Sequence, residues 1–129
     1  MSTTLPSTIL IVDDSRTMRT MVREALEADA FQVVEAKDGA DALAAVETIH
    51  ADMVITDVNM PEMDGLRLVR ALRELPKYRF TPILVLTTES GADIKLRGRE
   101  AGASGWLVKP FDPEQLRQTV QHVLRRRSS

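Results

Sequence analysis

Five short stretches rich in apolar and β-branched residues dictate what this chain can fold into: residues 8–12, 31–35, 53–55, 82–86 and 104–108. In most of them hydrophobicity runs on without the polar alternation of a half-solvated strand. Such runs suit strands covered on both faces, as in a parallel sheet. The segments between them carry helical periodicity. Ser15 is placed to cap a helix whose Met18, Met21, Val22, Ala25 and Leu26 share one face. After the Asp38-Gly39 turn, Ala42, Leu43, Val46 and Ile49 form a second stripe, and Leu68, Val69 and Leu72 a third that Pro76 stops. Residues 90–101 are the weakest helix. Gly91, Gly98 and Gly102 punctuate it, and only Ile94, Leu96 and Ala101 are apolar. The last helix is expected to start near Asp112-Pro113, with Glu114 in its first turn and Leu116, Val120, Val123 and Leu124 facing inward. Strands alternating with helices imply an α/β fold: a doubly wound, five-stranded parallel sheet with right-handed crossovers and five helices.

Chemistry concentrates where the apolar runs stop. The first run ends in Asp13-Asp14, the third in Asp57, the fourth in Thr87-Thr88 and the fifth in Lys109. Asp57 taken alone reads more readily as a turn-capping residue. In open parallel sheets, however, ligands bind outside the carboxyl ends of the strands, so these distant residues can meet in one crevice. Three carboxylates together repel unless a cation neutralises them. Oxygen donors without Cys or clustered His point to Mg²⁺, which keeps several waters and favours a site completed by phosphate. Carboxylates, Mg²⁺, a Lys and a hydroxyl suit phosphoryl transfer, which depends on positioning and charge neutralisation. An Asp can itself be the nucleophile and form an acyl phosphate. Asp57, as the central carboxylate, takes that role.

The same residues carry a resemblance. Asp13-Asp14-Ser15, the segment from Met60 to Gly65, and the segment from Ala101 to Phe111 with Lys109-Pro110 look like the receiver domain of a two-component response regulator of the stand-alone chemotaxis type. The resemblance spans the chain and implies one receiver domain over residues 1–129, flavodoxin-like, with strand order 2-1-3-4-5. It implies that Asp57 accepts a phosphoryl group from a histidine kinase. Asp14 and Asp57 would ligate Mg²⁺ directly, Asp13 mainly through water, and Asn59 through its backbone carbonyl. Lys109 would pair with the phosphoryl group. Thr87 would bond it and shift, with Trp106 swinging inward behind it to alter a partner-binding face built from the last two helices and the fifth strand. Asn59 and Glu89 would tune hydrolysis, and Lys109-Pro110 would be cis. The implied protein is a self-phosphorylating and self-dephosphorylating phosphoacceptor rather than a turnover enzyme. It would be a monomer whose downstream target is a protein such as the flagellar motor switch. Two positions depart from the chemotaxis pattern: Val58 stands where the best-known chemotaxis member carries Trp, and Gly91-Ala92 replace a basic pair on the output face.

Composition bounds the alternatives. The net charge of −2 argues against nucleic acid as the main partner. The absence of Cys excludes disulfides and thiolate chemistry. No apolar run could span a bilayer and no signal peptide is visible, so a cytoplasmic protein without membrane contact is expected. A phosphate sink or relay intermediate would share all of this chemistry and lack motor output. A haloacid-dehalogenase-type phosphohydrolase fits poorly, because Asp13 and Asp14 are adjacent rather than spaced by one residue. A dinucleotide site lacks its Gly-rich fingerprint. A fragment of a DNA-binding regulator would require a truncated chain. His50, His122 and the Arg125-Arg126-Arg127 run read as ordinary helix-end or surface residues.

Overall fold

The computed structural model describes residues 7–60 and 63–128. Strands β1 (Thr8–Val12), β2 (Gln32–Ala36), β3 (Met53–Asp57), β4 (Ile83–Thr87) and β5 (Gly105–Val108) form one parallel sheet in the order β2-β1-β3-β4-β5. Between them run α1 (Arg16–Glu27), α2 (Gly39–Ala45), α3 (Gly65–Glu74) and α4 (Ala92–Ala101), and α5 (Pro113–Ser128) follows β5. The expected fold class and strand order are both present.

Side chains alternate across the sheet into two cores. Ile9, Ile11, Met53, Ile55, Leu84 and Leu86 face α1 and α5. Leu10, Val12, Val54, Ile83 and Val85 face α2, α3 and α4. Both faces being covered accounts for the unbroken apolar runs. Met18 and Met21 pack at the edge of the first core, half-buried.

The helix starts follow from short polar side chains. Ser15, Asp38 and Asp64 are N-caps, accepting from the backbone N–H of Met18, Asp41 and Arg67. Asp112 and Gln115 cap α5 reciprocally, side chain to backbone in both directions. Helix α1 closes differently. Ala30 adopts φ 66°, and the N–H of Phe31 bonds the Leu26 carbonyl, as in a Schellman ending. That position usually takes Gly, so nothing in the sequence marks it.

Several boundaries move from the sequence expectation. β2 and β4 each start one residue later. α2 ends at Ala45, and residues 46–49 continue as turns that still bury Val46. α4 begins at Ala92, with Gly91 at its N-cap offering no side-chain bond. Leu96 is not on the buried stripe: it is 54% exposed, and the inward residues of α4 are Ile94, Gly98 and Ala101. Leu96 is two residues from both Ile94 and Gly98, which puts it on the opposite side of the helix. Pro76 does stop α3, and a 3-10 turn follows over Pro76–Tyr78. This turn buries Tyr78, whose hydroxyl accepts from Ala51 N and donates to the Ile49 carbonyl beneath the start of β3. His50, exposed as expected, stacks on the Tyr78 ring.

Arg73, the last basic residue of α3, joins the far end of this assembly. Its guanidinium donates to the carbonyls of Gly102, Tyr78, Arg79 and Thr81 and to the Ser104 hydroxyl. One side chain thereby ties α3, the entry to β4 and the left-handed Gly102 that ends α4. Burial lowers the Arg73 pKa from its ordinary value.

Candidate functional site: an acidic pocket at the carboxyl edge of the sheet

In a parallel sheet all strands deliver their last residues to one edge. Asp13 continues the sheet beyond Val12, its N–H bonding the Ala36 carbonyl, while Asp57 closes β3 against Leu86 of β4. Carboxylate oxygens of Asp13, Asp14 and Asp57 all lie within 4.8 Å of one another. Asp13 and Asp57 are buried and Asp14 is exposed, so the cluster opens to solvent on one side. Lys109 Nζ reaches in from the end of β5, 3.1 Å from Asp57 Oδ1 and 3.4 Å from Asp13 Oδ2. The Lys109-Pro110 bond is cis, as the resemblance implies.

One ammonium faces three carboxylates, so negative charge is left over. Asp13 is also held away from water. Burial is the largest influence and raises its pKa; the Ser15 N–H and Lys109 pull it down, Asp57 pushes it up, and the outcome is a raised value. A hard divalent cation would relieve this repulsion. The donor set fits one: three carboxylate oxygens within a few ångströms, no soft ligand, and an open side for water or phosphate.

Thr87 is fully buried at the end of β4. Its hydroxyl accepts from the N–H of Glu89 at 3.0 Å, and its carbonyl accepts from Lys109 N at 2.7 Å. Thr87 is thus joined by backbone to the Lys109 that touches Asp57. Glu89 is exposed, and so is Asn59, two residues beyond Asp57. Pro61 and Glu62 of the loop motif lie outside the described residues. The loop after β3 folds back tightly, with Gly65 N bonding the Val58 carbonyl at 2.8 Å. A Cβ on Gly65 would fall 2.0 Å from the Asp57 carbonyl, so Gly is required there.

Trp106 stands apart from the carboxylates. It pairs with Val85 as Val108 pairs with Thr87, so the indole and the Thr87 side chain share one face of the sheet. The ring lies against Gly98 of α4, where an added Cβ would meet Cζ3 at 2.6 Å. Its Nε1 is buried and has no hydrogen-bond acceptor among the described residues. Of the site residues named from the sequence, Asp13, Asp14, Asp57 and Lys109 form a compact group that Thr87 joins through its backbone, Asn59 and Glu89 lie exposed two residues beyond Asp57 and Thr87, and Trp106 lies against α4. Sequence reasoning missed Arg19, whose Nη1 donates to the Asp13 carbonyl at 2.7 Å. A long side chain bonding a main-chain oxygen leaves no motif to find.

Comparison with known proteins agrees with this geometry. The response regulator receiver domain family matches residues 9–121. The chain is 38% identical over 119 residues to chemotaxis protein CheY1 of Helicobacter pylori, covering 90% of this chain and 95% of that one. It is 36% identical over 119 residues to chemotaxis protein CheY of Pseudomonas aeruginosa, covering 92% and 96%. The alkaline phosphatase synthesis transcriptional regulatory protein PhoP of Bacillus subtilis is 37% identical over 118 residues, covering 92% of this chain but 48% of that one. The chain spans about half the length of such transcriptional regulators. Among solved structures, chemotaxis response regulator CheY4 of Vibrio cholerae superposes with a TM-score of 0.89 at 46% identity, covering 92% of this chain and 99% of that one. On the sheet order, the acidic strand ends and these matches, the chain belongs to the response regulator receiver domain family of two-component signalling.

Proposed function

We propose that the chain is a single receiver unit in which Asp57 accepts a phosphoryl group from a histidine kinase and, once modified, alters a protein-binding face used in chemotaxis. The observation that carries this reading is the convergence of Asp13, Asp14 and Asp57 within 4.8 Å, with Lys109 3.1 Å from Asp57. An Asp57 carboxylate oxygen attacks phosphorus. The bond from phosphorus to the donor imidazole breaks, a P–O bond forms, and the imidazole leaves with the electron pair and takes up a proton. Mg²⁺, held by Asp13, Asp14, Asp57 and the Asn59 carbonyl, would supply charge neutralisation for the phosphoryl oxygens. Lys109, already beside Asp57, bonds the transferred group. Thr87 gives up its bond from Glu89 N to meet the new dianion, and the face bearing Trp106 responds. In this reading Asn59 and Glu89, both exposed and two residues beyond Asp57 and Thr87, tune water attack on the acyl phosphate. The protein is a phosphoacceptor that undergoes its own modification rather than a turnover enzyme. Similarity to CheY1 and CheY over nearly their full lengths supports a chemotaxis role; in this reading the target is a protein such as the flagellar motor switch.

The test is intact mass after incubation with acetyl phosphate and Mg²⁺. One phosphoryl adduct is expected on the wild type, none on Asp57→Asn and none in EDTA. An adduct that survives Asp57→Asn would refute the assignment.

A further inference from the structure

Asp13 is restrained at three points. Its N–H bonds the Ala36 carbonyl, its Oδ1 accepts from Ser15 N at 2.8 Å, and its carbonyl accepts from Arg19 Nη1 at 2.7 Å. Arg19 is itself anchored. Its Nε pairs with Glu35 Oε1 of β2 at 2.9 Å, and its side chain is only 16% exposed. The other oxygen of Glu35 is taken by Arg23 Nε at 2.6 Å. Burial works against the ionised form of Glu35, but the bonds from Arg23 and Arg19 outweigh it and hold the carboxyl below its ordinary pKa. Two arginines of α1 thus share one carboxylate. Arg23 directs its remaining nitrogens to Glu27 and the Val33 carbonyl; Arg19 directs Nη1 to the peptide that joins Asp13 and Asp14.

We propose that Arg19 is a positioning residue for the acidic pocket: braced on Glu35, it grips the Asp13 carbonyl and fixes the peptide that presents Asp13 and Asp14 to a divalent cation. The inference rests on the reading of that pocket as a cation site. Small hard cations tolerate little error in ligand position, so a peptide free to rotate presents the two carboxylates poorly. The sign of the effect separates this role from a general field effect. Removing a positive charge near a cation site strengthens binding if only the field matters. Loss of the grip weakens it.

The experiment is calorimetric titration with Mg²⁺ of the wild type and of Arg19→Gln, Arg19→Lys, Glu35→Gln and Arg23→Gln, with melting curves in EDTA to confirm folding. Arg19→Gln is expected to weaken Mg²⁺ binding by about tenfold, the loss typical when a partner behind a metal ligand is removed. Glu35→Gln weakens it in the same direction because Arg19 loses its brace. Arg19→Lys keeps the charge and the fold but cannot serve both partners, and is weakened too. Arg23→Gln, which breaks the same ion-pair cluster without touching Asp13, binds as the wild type does. Equal or tighter binding by folded Arg19→Gln and Arg19→Lys would overturn the proposal. So would an equal loss in Arg23→Gln, which would make the effect one of α1 packing. A wild type that takes up no Mg²⁺ would overturn the reading of the pocket itself, and this inference with it.

Discussion

Asp13 carries opposing influences on one carboxylate, and they give it a definite dependence on pH. Without metal, burial and the neighbouring Asp57 raise its folded-state pKa above the ordinary 3.8 despite Lys109 and Ser15 N. An acid whose pKa is raised by folding holds its proton to higher pH in the folded chain. Its stabilising contribution is therefore present at low pH and is lost as pH climbs from the ordinary value through the raised one. Near neutral pH the metal-free protein bears the penalty. In EDTA, Asp13→Asn is expected to melt above the wild type near neutral pH, with the difference narrowing as pH falls toward the ordinary carboxylate range. Adding Mg²⁺ should raise the wild-type melting temperature by mass action and the variant's by less. Scanning calorimetry with and without EDTA checks both. At this scale the sequence was readable where a residue ends an apolar run, as Asp13, Asp57, Thr87 and Lys109 do. It was silent where the partner is a main-chain oxygen. The bonds of Arg19 and Arg73, and the left-handed Ala30, depend on where a carbonyl or a bend falls in space, and residue type does not encode that.

The fourth helix shows how an element can read as weak and still have a specific role. Its glycines suggested loose structure, and Gly91 does leave the first turn without a side-chain cap. Gly98 is different, because it is buried and makes room for the Trp106 ring. A methyl group added there would overlap the indole at 2.6 Å, so ring or helix must move. Gly98→Ala is expected to displace the ring toward water, shift the emission of the sole tryptophan to the red, and cost about 1–3 kcal/mol for overpacking. An unshifted spectrum would show that α4 had moved instead. Sequence spacing could not pair Gly98 with Trp106, since the contact forms only once the strand and the helix lie side by side. The exposure of Leu96 could not be read from the sequence for a related reason: a helix with few apolar residues has too little periodicity to fix its buried face.

For the molecule as a whole, alternating runs and stripes were enough to specify a parallel α/β layer structure. Strand order was not in the periodicity; it came with the resemblance and is matched by the hydrogen-bond ladder. The sheet gathers the acidic pocket at one edge, and at the opposite edge Arg73 gathers chain segments that share no sequence signal. Its acceptors are all uncharged. Arg73→Met would leave half-buried carbonyls without their donor, and a destabilisation of at least about 1–3 kcal/mol is expected. Chemical denaturation measures it, and a change near zero would mean that water replaces the guanidinium fully. Because Arg73 is far from the carboxylates along the strands, phosphoryl uptake by the folded fraction should be unaffected.

The same bonds set the geometry available to α4. Arg73 holds the Gly102 carbonyl through two nitrogens at 3.0 and 2.8 Å, while no side chain caps the other end at Gly91. A displacement of α4 that keeps those bonds is a tilt about its last turn, which makes Arg73 a fulcrum and the helix a lever arm. Ten residues of helix are about 15 Å long. A tilt of about 5° then carries the first turn, nearest the carboxyl edge, by roughly 1 Å, while Gly102 barely moves.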